Sequence, residues 1–366
     1  MKLLIKKVHL LNACAPIIVL FLLILNANTF CQSSENIKDE TNEFLNTLDK
    51  DELQLTSLSF KDSLRTNWTN FPIGLAKRPG IRYGVLSEES KIQFHHLLTA
   101  ILSSQGYLKT ISIMNLDDIL NLMYETLYEN NLISDETYEE IRSINFGYNN
   151  YFISVWGEPN KTEPWGLKFE GHHLSINLSV VGNKYSLTPL FLGTDPAELT
   201  ITKYAGLRIL SNEEDYGLLL INSLSEEQKT IATLSQEVPG DIITNPKNTQ
   251  RIIDFQGIKA ADLTPEQKNI LEILIKEYIN NLEHDKAHEY LEKINKSGID
   301  QVYFAWIGSY EIRKPNYYII NGPDFIIEYD NNGFQKNGNH IHSIWREKGN
   351  DFGEDLLKTH YLKHKH

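Results

Sequence analysis

A chain of 366 residues with 41% hydrophobic and 10% aromatic content is long and apolar enough to bury a sizeable core. Its formal charge of −13 (48 acids against 35 lysines and arginines, with no basic run) excludes the cationic footprint that nucleic acid or an anionic membrane surface requires. The two cysteines, Cys14 and Cys31, sit at the N-terminal end and leave the rest of the chain without a disulfide framework or a cysteine-based metal or redox site.

Lys2, Lys6 and Lys7, an apolar run from about Ala15 to Leu25, and the loosening at Asn26 to Thr29 predict a secretory signal peptide over 1–31. The run contains Pro16 and is shorter than the roughly 20 residues of a spanning helix, so cleavage is expected rather than a retained anchor. Cys31 follows Phe30, not a small residue, which disfavours lipidation. The expected location is secreted or periplasmic, with no stable membrane insertion after cleavage.

Residues 32–66 are polar and acid-rich and read as a linker with a peripheral helix. A single domain over 67–362 and a His/Lys-rich tail at 363–366 follow. Ser87 is placed to cap a helix whose apolar stripe is Phe94, Leu97, Leu98, Ile101 and Leu102, with Gly106 ending it. Further helices are expected over Leu116 to Tyr128 and from Asp135. The period then changes to that of strands at Tyr151–Trp156, Leu167–Val180 and Tyr185–Leu192. Helical patterning returns over Glu213–Leu234 and after Thr264-Pro265-Glu266-Gln267, a capping box with proline at the first helical position. Strands follow at Val302–Trp306, Tyr317–Ile320 and Phe325–Tyr329, then a turn at Asp330-Asn331-Asn332-Gly333 and a last helix over Gly353–Tyr361. Helices and strands in separate blocks predict an α+β fold, its helical N-terminal and middle segments packed on a largely antiparallel sheet.

Among the polar clusters, His340-Ile341-His342 stands out, because an extended His-x-His turns both imidazoles to one face. With carboxylates nearby at Glu328, Asp330, Glu347 and Asp351, the pair suits a divalent transition metal, namely zinc, iron, manganese or copper. Glu170-Gly171-His172-His173 lies in a strand block, where neighbours face opposite ways, so only one of the two histidines is expected to enter a site unless the strand bulges. His284 and His288 have helical spacing but lack the metalloprotease glutamate and read as a solvated face. His360, His364 and His366 crowd the terminus, where they can bind metal adventitiously. There is no Gly-x-Ser-x-Gly, Walker loop or Gly-x-Gly-x-x-Gly, so no nucleotide cofactor is expected.

Several runs resemble the uncharacterised "domain of unknown function 3500" family. They are Trp165-Gly-Leu-Lys-Phe-Glu-Gly-His-His-Leu-Ser-Ile-Asn177, Phe325-Ile-Ile-Glu-Tyr-Asp330, Asn339-His-Ile-His-Ser-Ile-Trp-Arg346 and Asn350-Asp-Phe-Gly353, with Leu102-Ser-Ser-Gln-Gly-Tyr107 and Thr188-Pro-Leu-Phe-Leu-Gly193. The resemblance implies one domain and groups His172, His173, His340 and His342 in one site. One departure is visible. The resemblance leads us to expect an arginine in the strand before Gly322-Pro323, where this chain has Tyr317-Tyr-Ile-Ile-Asn321.

These readings combine into an expected exported, metal-dependent enzyme, a hydrolase by default with oxidation as an open alternative, acting on a small molecule or carbohydrate. His340, His342 and one of His172 or His173 are the expected ligands. Glu170 or Glu328 is the expected fourth ligand or general base, Arg346 an anion clamp, and Trp165, Trp345 and Asn177 substrate-binding residues. The alternatives are a non-catalytic extracytoplasmic binding protein using the same residues, or a hydrogen-bonded core without a ligand.

Overall fold

Runs rich in aromatic, leucine and β-branched side chains form thirteen strands of one sheet in the computed structural model, which describes residues 34–160, 162–246, 252–333 and 335–363. The expected signal peptide with Cys14 and Cys31, as well as His364 and His366, lies outside the described residues. The strands are β1 (Ser57–Leu58), β2 (Ile81–Arg82), β3 (Phe152–Trp156), β4 (Trp165–Gly171), β5 (Leu174–Val181), β6 (Lys184–Ser186), β7 (Leu190–Thr194), β8 (Thr233–Ser235), β9 (Ile258–Lys259), β10 (Tyr303–Gly308), β11 (Asn316–Asn321), β12 (Phe325–Asp330) and β13 (Ile341–Glu347). Their order is β1-β3-β4-β5-β7-β13-β12-β11-β10-β8, with β2, β6 and β9 as short additions, and all pairings are antiparallel except β1 with β3 and β8 with β10. The fold is α+β.

The helices are α1 (34–46), α2 (Lys50–Thr56), α3 (Glu88–Ile101), α4 (Ser104–Glu129), α5 (Asp135–Ile144), α6 (Ser211–Ser223), α7 (Glu226–Ala232), α8 (Pro265–Ile279), α9 (His284–Ser297) and α10 (Glu354–Lys363). Ser87 caps α3, and Thr264 and Gln267 close the capping box of α8, as the sequence predicts. Two departures from expectation bear on the packing. In α1, Ile37, Thr41 and Phe44 are fully buried, so the acid-rich stretch wraps onto the core instead of lying at its periphery. Gly106 does not end a helix. Ser103 caps α4 beside it, and Gly106 lets the backbone of Asn281 approach so closely that a Cβ would sit 2.0 Å from its carbonyl oxygen.

The two faces of the sheet are both buried but chemically unlike. Leu167, Phe169, Ile176, Leu192, Trp345, Ile327 and Tyr318 project into the main core and meet Phe94, Leu98, Ile113, Ile221, Leu274 and Tyr278 from the helices. The opposite face carries Lys168, Glu170, Asn177, His342, Arg346, Glu328 and Asp330, interspersed with Phe191, Ile344 and Ile319. Segments 59–80 and 236–246 lie over it, packing Trp68 and Ile242 on Phe191 and Ile344, and Val238 and Ile243 on Tyr317, Ile319 and Ile326. Irregular backbone brings unpaired amides and carbonyls into the interior, and charged side chains on the sheet meet them there. This polar layer positions the site.

Candidate metal centre

Strands β4 and β5 are joined by a turn of only two residues, His172 and His173. So tight a hairpin requires positive φ, and His173 has φ 59°. The expected alternation of two histidines along a strand is thereby corrected: both rings leave the turn on one side, with centroids 3.9 Å apart. The His173 amide donates to the Asn70 carbonyl at 3.0 Å, and its carbonyl accepts from the Gly193 amide at 2.8 Å, which docks the turn against β7. Gly193 is required here, because a Cβ would lie 2.9 Å from His173 Cδ2 and 2.7 Å from the Ile341 carbonyl oxygen.

His342 stands opposite Gly193 on one side and Asp330 on the other. His340, at the same phase two residues earlier, is anchored by its backbone N–H to Asn331 Oδ1 at 3.2 Å and by contact with Gly333, whose absent Cβ would approach its own Cβ to 2.4 Å. Three Nε2 atoms therefore converge. His173 Nε2 is 2.8 Å from His340 Nε2, which is 3.0 Å from His342 Nε2, and all three residues are at most 7% exposed. Nitrogens around a tetrahedral zinc with bonds of about 2.0–2.1 Å lie about 3.4 Å apart, a few tenths of an ångström wider than these contacts.

Carboxylates stand behind the imidazoles. His342 Nδ1 is 2.8 Å from Asp241 Oδ1, and His340 Nδ1 is 3.6 Å from Asp195 Oδ2. At His342 the hydrogen-bonded carboxylate on Nδ1 fixes the tautomer that leaves Nε2 as a lone-pair donor, which is the arrangement metal-ligating histidines adopt. Burial and the neighbouring histidines hold His173 and His340 well below the ordinary imidazole pKa, keeping both in the neutral, ligating form. For His342 burial acts the same way, but the hydrogen bond and charge of Asp241 outweigh it and raise the pKa. The three histidines can hold a metal ion, and so can the overlapping group of Asp241, Asp330 and His342.

The chain belongs to the protein family of unknown function DUF3500, whose profile matches residues 31–354. None of the curated proteins and none of the solved structures matches it.

Not all of the residues singled out from this DUF3500 chain's sequence reach the histidines. His172 pairs through Nδ1 with Asp117 Oδ1 of α4 at 2.7 Å, packs on Phe146, and lies beside the cluster, not in it. Glu170 is separated from β13 by β5 and β7, roughly 14 Å at about 4.8 Å per strand spacing. It accepts from the Thr69 amide at 3.1 Å and lies 3.8 Å from Arg78. Glu328 is fully buried and accepts from the Ile243 amide at 2.8 Å, the Thr244 amide and hydroxyl, and the Tyr317 hydroxyl. Arg346 spends its guanidinium on Thr244 Oγ1, the Thr244 carbonyl and Asp351. These three side chains fasten the covering segments, and their donors and acceptors are taken up by the chain itself.

The aromatic and amide readings change as well. Trp165 and Trp345 point to the helix side of the sheet, with Trp345 stacked on Phe325, so neither walls a pocket at the histidines. The reason is the strand period: Trp345 is an odd number of residues from His342 and must face the other way. Asn177 donates to Ser175 Oγ and the Pro189 carbonyl, further along the polar face. Where an arginine was expected in β11, Tyr317 donates to Glu328 and Asn321 donates to the Asp254 carbonyl. His288 is exposed, and His95 bridges the hydroxyls of Tyr83 and Tyr107. Sequence reasoning missed Asp117, Asp195, Asp241 and Asn70. Asp241 follows Pro239-Gly240 and Asp195 follows Gly193-Thr194, and turn residues next to a polar acid were the available, weak signal.

Proposed function

We propose that the protein is an exported metal-dependent hydrolase of a small-molecule or carbohydrate substrate, with His173, His340 and His342 holding one divalent transition metal ion. The observation that carries this reading is the convergence of three buried Nε2 atoms, with aspartates on the Nδ1 side of two of the rings, 2.8 Å from His342 and 3.6 Å from His340. Three neutral imidazoles would leave such an ion its full positive charge, and an ion so held would lower the pKa of a water toward about 7. The donor set favours zinc, with iron, manganese and copper as the other candidates. His172, oriented by Asp117 and packed against His173 with ring centroids 3.9 Å apart, takes the general-base role that sequence reasoning assigned to Glu170 or Glu328.

Elemental analysis tests the proposal. Protein ending at Leu362, without His364 and His366, is expected to retain one ion at the histidines. His340→Ala/His342→Ala is expected to lose it while keeping its secondary structure. Metal-free protein whose melting is indifferent to chelator would instead favour a non-catalytic binding protein.

A further inference from the structure

Asp330 ends β12 directly across the ladder from His342 and is 0% exposed, yet no described residue meets either carboxylate oxygen with a well-formed hydrogen bond, the Asn332 backbone amide making only a weak approach. Its neighbours on the same sheet face are treated differently, since Glu328 and Glu170 are met by backbone amides and hydroxyls. A buried carboxylate so poorly met by donors is among the more expensive groups a fold can hold, and its surroundings point to what it can bind. The nearest acid is Asp241. Its Oδ1 serves His342 Nδ1 and the Ile242 amide, both at 2.8 Å, while Oδ2 takes no hydrogen bond among the described residues. Ligand atoms of Asp241, Asp330 and His342 lie within 4.8 Å of one another. Among the described residues, no lysine or arginine pairs with either aspartate, and the ion pair of Asp241 is with His342 alone. The backbone presenting Asp241 is also held in place, by Glu328 on Ile243 and Thr244 and by Arg346 on Thr244.

We propose that Asp241 and Asp330 form a second cation position behind His342, so that the site pairs a histidine-bound ion with an oxygen-bound one. The paired arrangement rests on the three-histidine reading, whereas the carboxylate position stands on its own residues. Two carboxylates offer hard oxygen donors, which suit a manganese- or magnesium-class ion better than a thiophilic one. Asp241, 30% exposed at its side chain, faces the route by which such an ion enters, and Asp330 closes the far side.

The test uses chain ending at Leu362, loaded with one equivalent of zinc and titrated with manganese while free Mn(II) is followed by electron paramagnetic resonance. Wild type is expected to bind one manganese per chain with the zinc retained. Asp330→Asn, which keeps the shape of the side chain, is expected to retain zinc and to bind manganese at least tenfold more weakly. Retained zinc also reports that this variant has folded. Should circular dichroism show that it has not, Asp241→Asn decides, at zinc raised to keep the histidine centre filled because Asp241 also orients His342, with the same expected loss of manganese. Manganese binding unchanged in the folded variant, or absent from wild type at millimolar manganese, overturns the proposal in favour of a carboxyl pair sharing a proton. Wild type that holds no zinc but binds manganese in an Asp330-dependent way overturns the histidine centre and leaves the carboxylate position standing.

Discussion

Glu328→Ala separates a fastening role from a catalytic one. The carboxylate is fully buried on β12 and is reached by the amides of Ile243 and Thr244 and by the hydroxyls of Thr244 and Tyr317. The hydroxyls can rotate to other acceptors, and the Ile243 amide also donates to the Tyr317 hydroxyl at 3.1 Å, but the Thr244 amide cannot turn away, so truncation leaves one fixed buried donor unpaired. The variant is therefore expected to lose about 1–3 kcal/mol of unfolding free energy. Glu328→Gln, which retains one acceptor oxygen, is expected to lose less. Urea unfolding followed by tryptophan fluorescence measures both. The loosened segment carries Asp241, so zinc affinity is expected to fall as well, by about tenfold or more. A general base or ligand behaves oppositely, because functional sites are held at the expense of stability and relax when their charge is removed. A loss below about 1 kcal/mol with metal affinity unchanged would refute the clamp.

Four further outcomes are expected. His340→Ala/His342→Ala removes the metal dependence of melting, so that chelator lowers the wild-type Tm and leaves the variant unmoved; equal chelator sensitivity in the two sinks the histidine centre. Asp241→Asn withdraws the carboxylate from His342 Nδ1 and is expected to weaken zinc about 10–100-fold in a competition titration, and an unchanged constant would show that Asp241 does not orient the ligand. In metal-free protein, burial pushes the Asp330 carboxyl up to about 8, against about 3.9 when unfolded. The folded state then binds the proton more tightly between those values, so the stability of wild type relative to Asp330→Asn is full below about pH 4 and falls as pH rises through 8; a pH-independent difference in urea unfolding contradicts this. Intact-mass analysis of host-exported protein should place the N-terminus between about Thr29 and Ser34 with no acyl mass, whereas a full-length species or a lipidated Cys31 would exclude cleavage as drawn.

Local chemistry made part of this protein legible. Caps at Ser87 and Thr264 and the change of period near Tyr151 are short-range signals, and they placed the helical and strand blocks of the α+β fold. His340 and His342 were identifiable as a pair because a strand repeats every two residues, whatever lies around it. The same rule should have placed Trp345 opposite them, yet a polar-apolar pattern does not mark a functional face when both faces of a sheet are buried.

The sequence by itself determined which side chains share a strand face, where capped helices start, and which histidines and carboxylates stand close together along the chain. Only the tertiary structure decided which of them meet. His173 is 167 residues from His340, and Asp241 is 101 from His342. His173 enters through a two-residue turn with positive φ, and Asp241 through an irregular segment held by Glu328 and Arg346. Such segments have no period to read, because their backbone is paired by side chains from the sheet and not by their own neighbours. Their position is therefore a property of the assembled polar layer, as is the metal-binding geometry it creates.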